Sequence, residues 1–183
     1  AIRDKVLESN CQLIVRTSPA EEATRFETVK NRYPEIVWNN PKWVSVRKNH
    51  AEAWSQRIPS QEDISDLRAI LEYSDINVNM CSTMSLDFML FDKPVINTVF
   101  GNLENGLYND QKYLKYVHYK RVIESKSVIV AKDKEVLIQA LNQSLLHPRE
   151  RTTQRKAMID LQVSEPLEGT SKRIALTLSQ LND

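Results

Sequence analysis

Apolar positions along this chain follow two periods. Short continuous or alternating runs of strand length stand at 12–16, 36–38, 76–80, 95–99 and 127–130. Between them lie stretches in which apolar residues return every three or four positions, the spacing of a helix with one buried face. Strand-length runs alternating with helices predict an α/β fold with a mostly parallel sheet covered on both faces. The expected arrangement is a three-layer Rossmann-like domain with all five runs parallel in one sheet.

Several helix signals are specific. Ile2, Val6 and Leu7 share one helical face. Ser18-Pro19 with Glu21 reads as a capped helix start, leading Ala23, Phe26 and Val29 onto a buried face. Ser60 to Asp63 repeats the capping pattern ahead of Ile64, Leu67, Ile70 and Leu71. Residues 83–91, 111–125 and 134–146 are further helical stretches, the last with Val136, Leu137, Ala140, Leu141 and Leu145 inward. Two more helices close the chain, split near Pro166 and Gly169. Residues 42–59 are the least regular part and hold Trp43 and Trp54; the polar loop 101–111 holds Asn102 and Asn105.

Composition narrows the function. The 25 basic and 24 acidic residues nearly balance, so no whole-chain field draws nucleic acid. No run approaches 18 apolar residues, the length that spans a bilayer. Cys11 and Cys81 stand far apart without metal spacing, which suits a reducing, cytosolic setting. Only Gly101, Gly106 and Gly169 occur, too few for a dinucleotide fingerprint or a Walker loop. The three histidines form no zinc motif, and the sequence calls for no metal and no cofactor.

The stretch "NMCSTMSLDFMLFDKPVINTVFG" carries the candidate chemistry. Ser82 and Thr83 fall between the end of a strand and the start of a helix, where free backbone N–H groups favour an anion. Thr83 and Asp87 are spaced i, i+4 and share a helix face. Ser82 to Asp87 spans about 7 Å at ~1.5 Å per residue, similar to the reach from a nucleotide's phosphates to its ribose. A carboxylate only accepts hydrogen bonds, which suits a diol. A plainer reading stands beside this one, with Ser82 as an N-cap and Asp87 as a first-turn acid facing the helix dipole. Arg16, at the end of the first run, has two readings as well: a phosphate contact, or a surface ion pair with a helix acid. Trp43 and Trp54 either stack on a base or simply pack. The basic stretch Arg149 to Lys156 reads as a solvated helix face.

The segment from Leu67 to Gly101 resembles the donor-binding signature of GT-B glycosyltransferases. The matching features are Ser74-Asp75, Ser82-Thr83, Asp87 and Lys93-Pro94-Val95-Ile96. Of the branches of that family, it most resembles the CDP-glycerol glycerophosphotransferase-like and capsular-polysaccharide proteins, and more distantly UDP-N-acetylglucosamine 2-epimerase. The stretch from residue 12 resembles the family's strand ending in Arg or Lys, then His-Pro. Here it reads Arg16-Thr17-Ser18-Pro19, with no histidine. "EGTSKRIALTL" resembles the closing helix.

The resemblance implies that residues 1–183 are the nucleotide-sugar-binding half of a GT-B fold. It implies a C-terminal fragment that lacks its first strand and the N-terminal acceptor domain, and so barely catalyses alone. The implied partners are a nucleoside diphosphate sugar or CDP-linked donor and the missing domain. The implied setting is cytoplasmic, extending to the inner face of a membrane if the missing part associates with one. Arg16, Thr17, Ser82, Thr83 and Asp87 are the implied donor-binding residues. Two alternatives remain: a glycerophosphotransferase or epimerase-like enzyme, and a non-catalytic interaction module. The epimerases usually carry Gly after the Ser, where this chain has Thr83.

Overall fold

All five expected strands form, and every pairing among them is parallel. In the computed structural model β1 (Ile14–Arg16) pairs with β2 (Val37–Asn39). β5 (Asn77–Asn79) pairs with β6 (Val95–Thr98), and β6 with β7 (Ile129–Ala131). They thus form a two-stranded and a three-stranded sheet, where the alternation alone predicts one. The structure describes residues 2–3, 5–51, 53–163 and 166–181. The side chains of Ala23, expected on a buried face, and of Trp54, expected to stack on a base or to pack, lie outside the described ones. Contacts divide the chain into one unit of residues 1–74 and another of 75–183. The architecture is α/β and consistent with a small Rossmann-like domain. Among the described residues, no helix is long and apolar enough to cross a membrane.

In the first unit, β3 (Trp43–Ser45) and β4 (Arg57–Pro59) make an antiparallel hairpin inside the stretch that reads as irregular. Each strand is three residues long, and Pro59 closes the second, so neither shows a period of its own. Among the described residues no helix forms from residue 2: residues 2, 3 and 5 are turns, with Lys5 at φ 52°. A helix of about two turns is too short to hold without a covering surface. Ser18 also makes a turn instead of capping a helix, its carbonyl accepting from the Glu21 amide at 3.0 Å. Helical geometry begins only with the 3-10 turn Ala23–Phe26, followed by α1 (Glu27–Arg32). α2 (Gln61–Tyr73) starts as expected, with Ser60 Oγ accepting from the Asp63 amide at 3.1 Å. Its inward first-turn residue is Asp63, however, and Ile64 is exposed.

The second unit holds the apolar core. Val95, Ile96 and Val99 around β6 are buried with Phe88, Met89, Ala131 and Ala140. α3 (Met84–Leu90) supplies Phe88 and Met89, and α5 (Lys134–Leu146) supplies Ala140, with Val136, Leu137 and Leu141 packed beside it. The single helix expected over 111–125 is two pieces, a 3-10 turn Asp110–Lys115 and α4 (Val117–Glu124). Tyr116 between them is extended, at φ −68° and ψ 129°. The break restarts the helix in a register that buries Tyr119 and Val122 three residues apart. α6 (Thr152–Gln162) and α7 (Thr170–Gln180) follow.

The basic stretch around α6 is not wholly solvated. Arg155 is buried, with Met158 and Ile159 on the same helix. It donates from Nε to Asp92 Oδ1 at 2.7 Å, and Thr152 Oγ1 donates to Asp92 Oδ2 at 2.8 Å. Asp92 sits at φ 52° just past α3. The Asp92 amide reaches the Met89 carbonyl at 2.9 Å, and the Lys93 amide the Phe88 carbonyl at 3.0 Å. That is a Schellman ending with aspartate where glycine is usual, followed by Pro94.

Candidate functional site

The turn from β5 into α3 is held from beneath by buried polar side chains. β5 points its two asparagines inward and leaves Val78 exposed. Asn79 Oδ1 accepts from the Ser82 amide at 2.8 Å and from Asn97 Nδ2 at 2.9 Å. Its Nδ2 donates to Asn77 Oδ1 and, at 3.1 Å, to Ser85 Oγ. Tyr119 OH completes the set, 2.7 Å from Ser85 Oγ and donating to Asn97 Oδ1 at 2.9 Å. Ser85, Asn97 and Tyr119 are all buried. A fully bonded network of this kind fixes one geometry, because a partner lost in low dielectric is not replaced by water. Burial pushes the Tyr119 phenol up to about 12, so it stays protonated.

Above this base the turn is tight. Cys81 takes φ 51°, and burial pushes its thiol up to about 11, with the Asp110 charge adding to the shift. It is therefore a protonated thiol and not a nucleophile. Ser82 Oγ accepts from the Met84 amide at 3.2 Å, and its carbonyl accepts from the Ser85 amide at 3.0 Å. Ser82 is thus not the N-cap of the plainer reading, a position Thr83 holds; it makes a hydroxyl turn onto the first helical amide, and its own proton remains available to donate. Thr83 is exposed and its side chain caps nothing. α3 is seven residues long, with Asp87 one turn in. Asp87 is half-buried, and burial raises its carboxyl above the ordinary value. Among the described residues it has no hydrogen-bond or ion-pair partner.

Arg16 and Thr17 stand at the end of β1, in the first unit. Arg16 Nη2 meets both oxygens of Asp63, at 2.9 and 2.8 Å, and its Nη1 donates to Asn39 Oδ1. Asp63 also accepts from the Lys42 amide at 2.7 Å and from Trp43 Nε1 at 2.8 Å. Trp43 is therefore tied by its indole nitrogen to a core acid. Burial works to raise the Asp63 carboxyl, but the Lys42 amide, Arg16 and Trp43 outweigh it and hold it below the ordinary value. Asn102 and Asn105 fold their own loop: Asn102 Oδ1 accepts from the Glu104 amide at 2.8 Å, and Asn105 Nδ2 donates to the Phe100 carbonyl at 2.7 Å.

The polar network itself was missed by sequence reasoning. Its signal was present in the polar alternation of Asn77 and Asn79 along a run of strand length. Among the described residues no group of three His, Cys, Asp or Glu side chains is placed to hold a metal ion. Compared with family models, curated proteins and solved structures, the chain matches none.

Proposed function

We propose that the β5–α3 edge of the second unit binds the diphosphate and ribose of a nucleoside diphosphate-linked donor. The wider reading is the donor-binding half of a GT-B glycosyltransferase acting in the cytoplasm on a surface polysaccharide or glycan. One observation carries it: Asp87 is a half-buried acid without a partner among the described residues, on the same helix face as exposed Thr83. Such a group costs stability, and acids kept at that cost cluster at binding sites. The Ser82 and Thr83 hydroxyls would donate to phosphate oxygens, and Asp87 would accept from the ribose diol.

The same site would serve a glycerophosphotransferase using a CDP-linked donor. A non-catalytic interaction module is the second reading. Thr17, in place of the family's histidine, favours it, as does the engagement of Arg16 by Asp63 and Asn39.

Thermal shift with UDP, GDP, CDP and ADP tests the reading. At least one is expected to raise the melting temperature of the wild type. Asp87→Ala then loses a charge-assisted hydrogen bond of about 1.5–3 kcal/mol. That is roughly a 10- to 150-fold weaker binding constant. A variant that binds as tightly as the wild type removes Asp87 from the site. A wild type that responds to no nucleotide leaves the interaction module as the better reading.

A further inference from the structure

The segment after β6 holds the chain's densest mixture of rings and cations. Between Leu107 and Arg121 lie four tyrosines, with Lys112, Lys115, Lys120 and Arg121 against the single acid Asp110. Four cations less one acid gives +3 over this short stretch, where the whole chain carries +1. Tyr119 turns inward to the network already described. The other three run along the surface as a ladder. Tyr108 and Tyr113 have ring centres 6.5 Å apart, and Tyr113 meets Tyr116 edge-on at 5.2 Å. Lys112 Nζ lies 4.5 Å from the Tyr108 ring centre and donates to the Tyr108 hydroxyl at 2.6 Å. Even so, Tyr108 is 64% exposed and Tyr116 41%. Burial does not explain rings left in water and ordered by one another.

This ladder is fastened to the edge of the sheet that carries the candidate site. Asp110 Oδ1 accepts from the Gly101 amide at 2.8 Å, and Gln111 Nε2 donates to the Val99 carbonyl at 3.3 Å. Gly101 has no Cβ where one would stand 1.7 Å from the Tyr108 carbonyl oxygen, so only glycine lets the tyrosine loop close this tightly on the end of β6. β6 is the parallel neighbour of β5. The carboxyl ends of parallel neighbours face the same way, so the Cys81–Thr83 turn and the tyrosine loop leave the sheet on one edge. The Asp110 charge reaches the Cys81 thiol across that edge.

We propose that Tyr108 and Tyr116 are the stacking surface for the base of the nucleotide whose phosphates meet Ser82 and Thr83, with Lys112 and Lys115 drawing its anion in. The inference rests on the nucleotide reading above and adds the part of the ligand that Asp87 and the hydroxyls do not touch. A flat π face is the ligand chemistry that exposed rings recognise, and every base has one.

The test compares nucleoside diphosphates with inorganic pyrophosphate, which carries the same anion without the base, by calorimetry. The wild type is expected to bind at least one nucleoside diphosphate about 10-fold or more tighter than pyrophosphate. Tyr108→Leu with Tyr116→Leu should erase that preference and leave pyrophosphate affinity and melting temperature unchanged. The paired Phe replacements, which keep the rings, should restore it. If the Leu pair melts early, each single Leu variant is read instead. A preference that survives loss of the rings overturns the stacking surface and leaves the nucleotide reading intact. A wild type that binds neither ligand overturns both. An oligothymidine that binds the wild type more tightly than every mononucleotide, and loses that binding in the Leu pair, assigns the rings to single-stranded nucleic acid and overturns the proposal.

Discussion

One guanidinium nitrogen of Arg16 is shared by both carboxylate oxygens of Asp63, at 2.9 and 2.8 Å, although 47 positions separate the two residues. The pair joins β1 to α2 and, through the Lys42 amide and Trp43, to the hairpin. The first unit has few buried apolar side chains, so this polar hub does work that a core does elsewhere.

Acid should therefore loosen the hub. Asp63 has a folded-state pKa below its unfolded value, so its contribution is fully present above the ordinary carboxylate range, ~4, and is lost as pH falls through the depressed value. Asp63→Asn leaves Arg16 without its counter-charge, which costs about 3 kcal/mol at pH 7. Melting curves of both proteins from pH 7 downward should show that gap closing on the acid side. A gap that stays constant with pH would separate the hub from the ionisation of Asp63.

Asp87 has the opposite sign. Burial raises its folded pKa, so the folded state holds a proton that the unfolded state gives up, and the group weakens the fold as pH rises through that window. Asp87→Asn should raise the melting temperature at pH 7 while weakening nucleotide binding. A helix-dipole role predicts the reverse, a loss of about 0.3–1 kcal/mol. The direction of one temperature shift separates the two accounts.

Tyr119→Phe removes the hydroxyl that serves Ser85 and Asn97 together. Leaving buried polar atoms short of a partner costs about 1–3 kcal/mol. The loss should appear in chemical denaturation at an unchanged slope, and a ligand-binding defect should accompany it, because the network sets the Ser82 turn.

Asp92→Gly keeps the left-handed backbone at low cost but takes the counter-charge from the buried Arg155 guanidinium. A net loss of about 3 kcal/mol is expected at neutral pH. A glycine variant as stable as the wild type would show that the conformation, and not the ion pair, is what the position supplies.

The sequence was readable wherever a local rule decided the outcome. Ser60 caps α2 because its oxygen needs only the amide three residues on. The apolar runs became strands, and parallel ones, because helices of the right period separate them. Reading failed where the deciding partner was distant. Asp63 looks like a capping acid and is instead the partner of Arg16. Arg155 looks solvated until Asp92, 63 residues away, is folded against it. Strands of the β3–β4 hairpin are set by each other, and Tyr116 breaks a good helical pattern so that Tyr119 can enter the network. The Ser82–Thr83–Asp87 spacing was legible; the lack of any partner for Asp87 was not, since a pattern lists neighbours without showing which of them arrive.

The aspartate that ends α3 couples that helix to a distant one. A left-handed Asp92 is uphill by roughly 1–2 kcal/mol when nothing rewards it. Its reward, Arg155 with Thr152, lies on α6, and a contact so distant in sequence bears a large loop-closure entropy. The end of the short helix that carries Asp87 therefore leans on α6 as well as on its own turn, so a substitution at Arg155 or Thr152 reaches the candidate site without touching it.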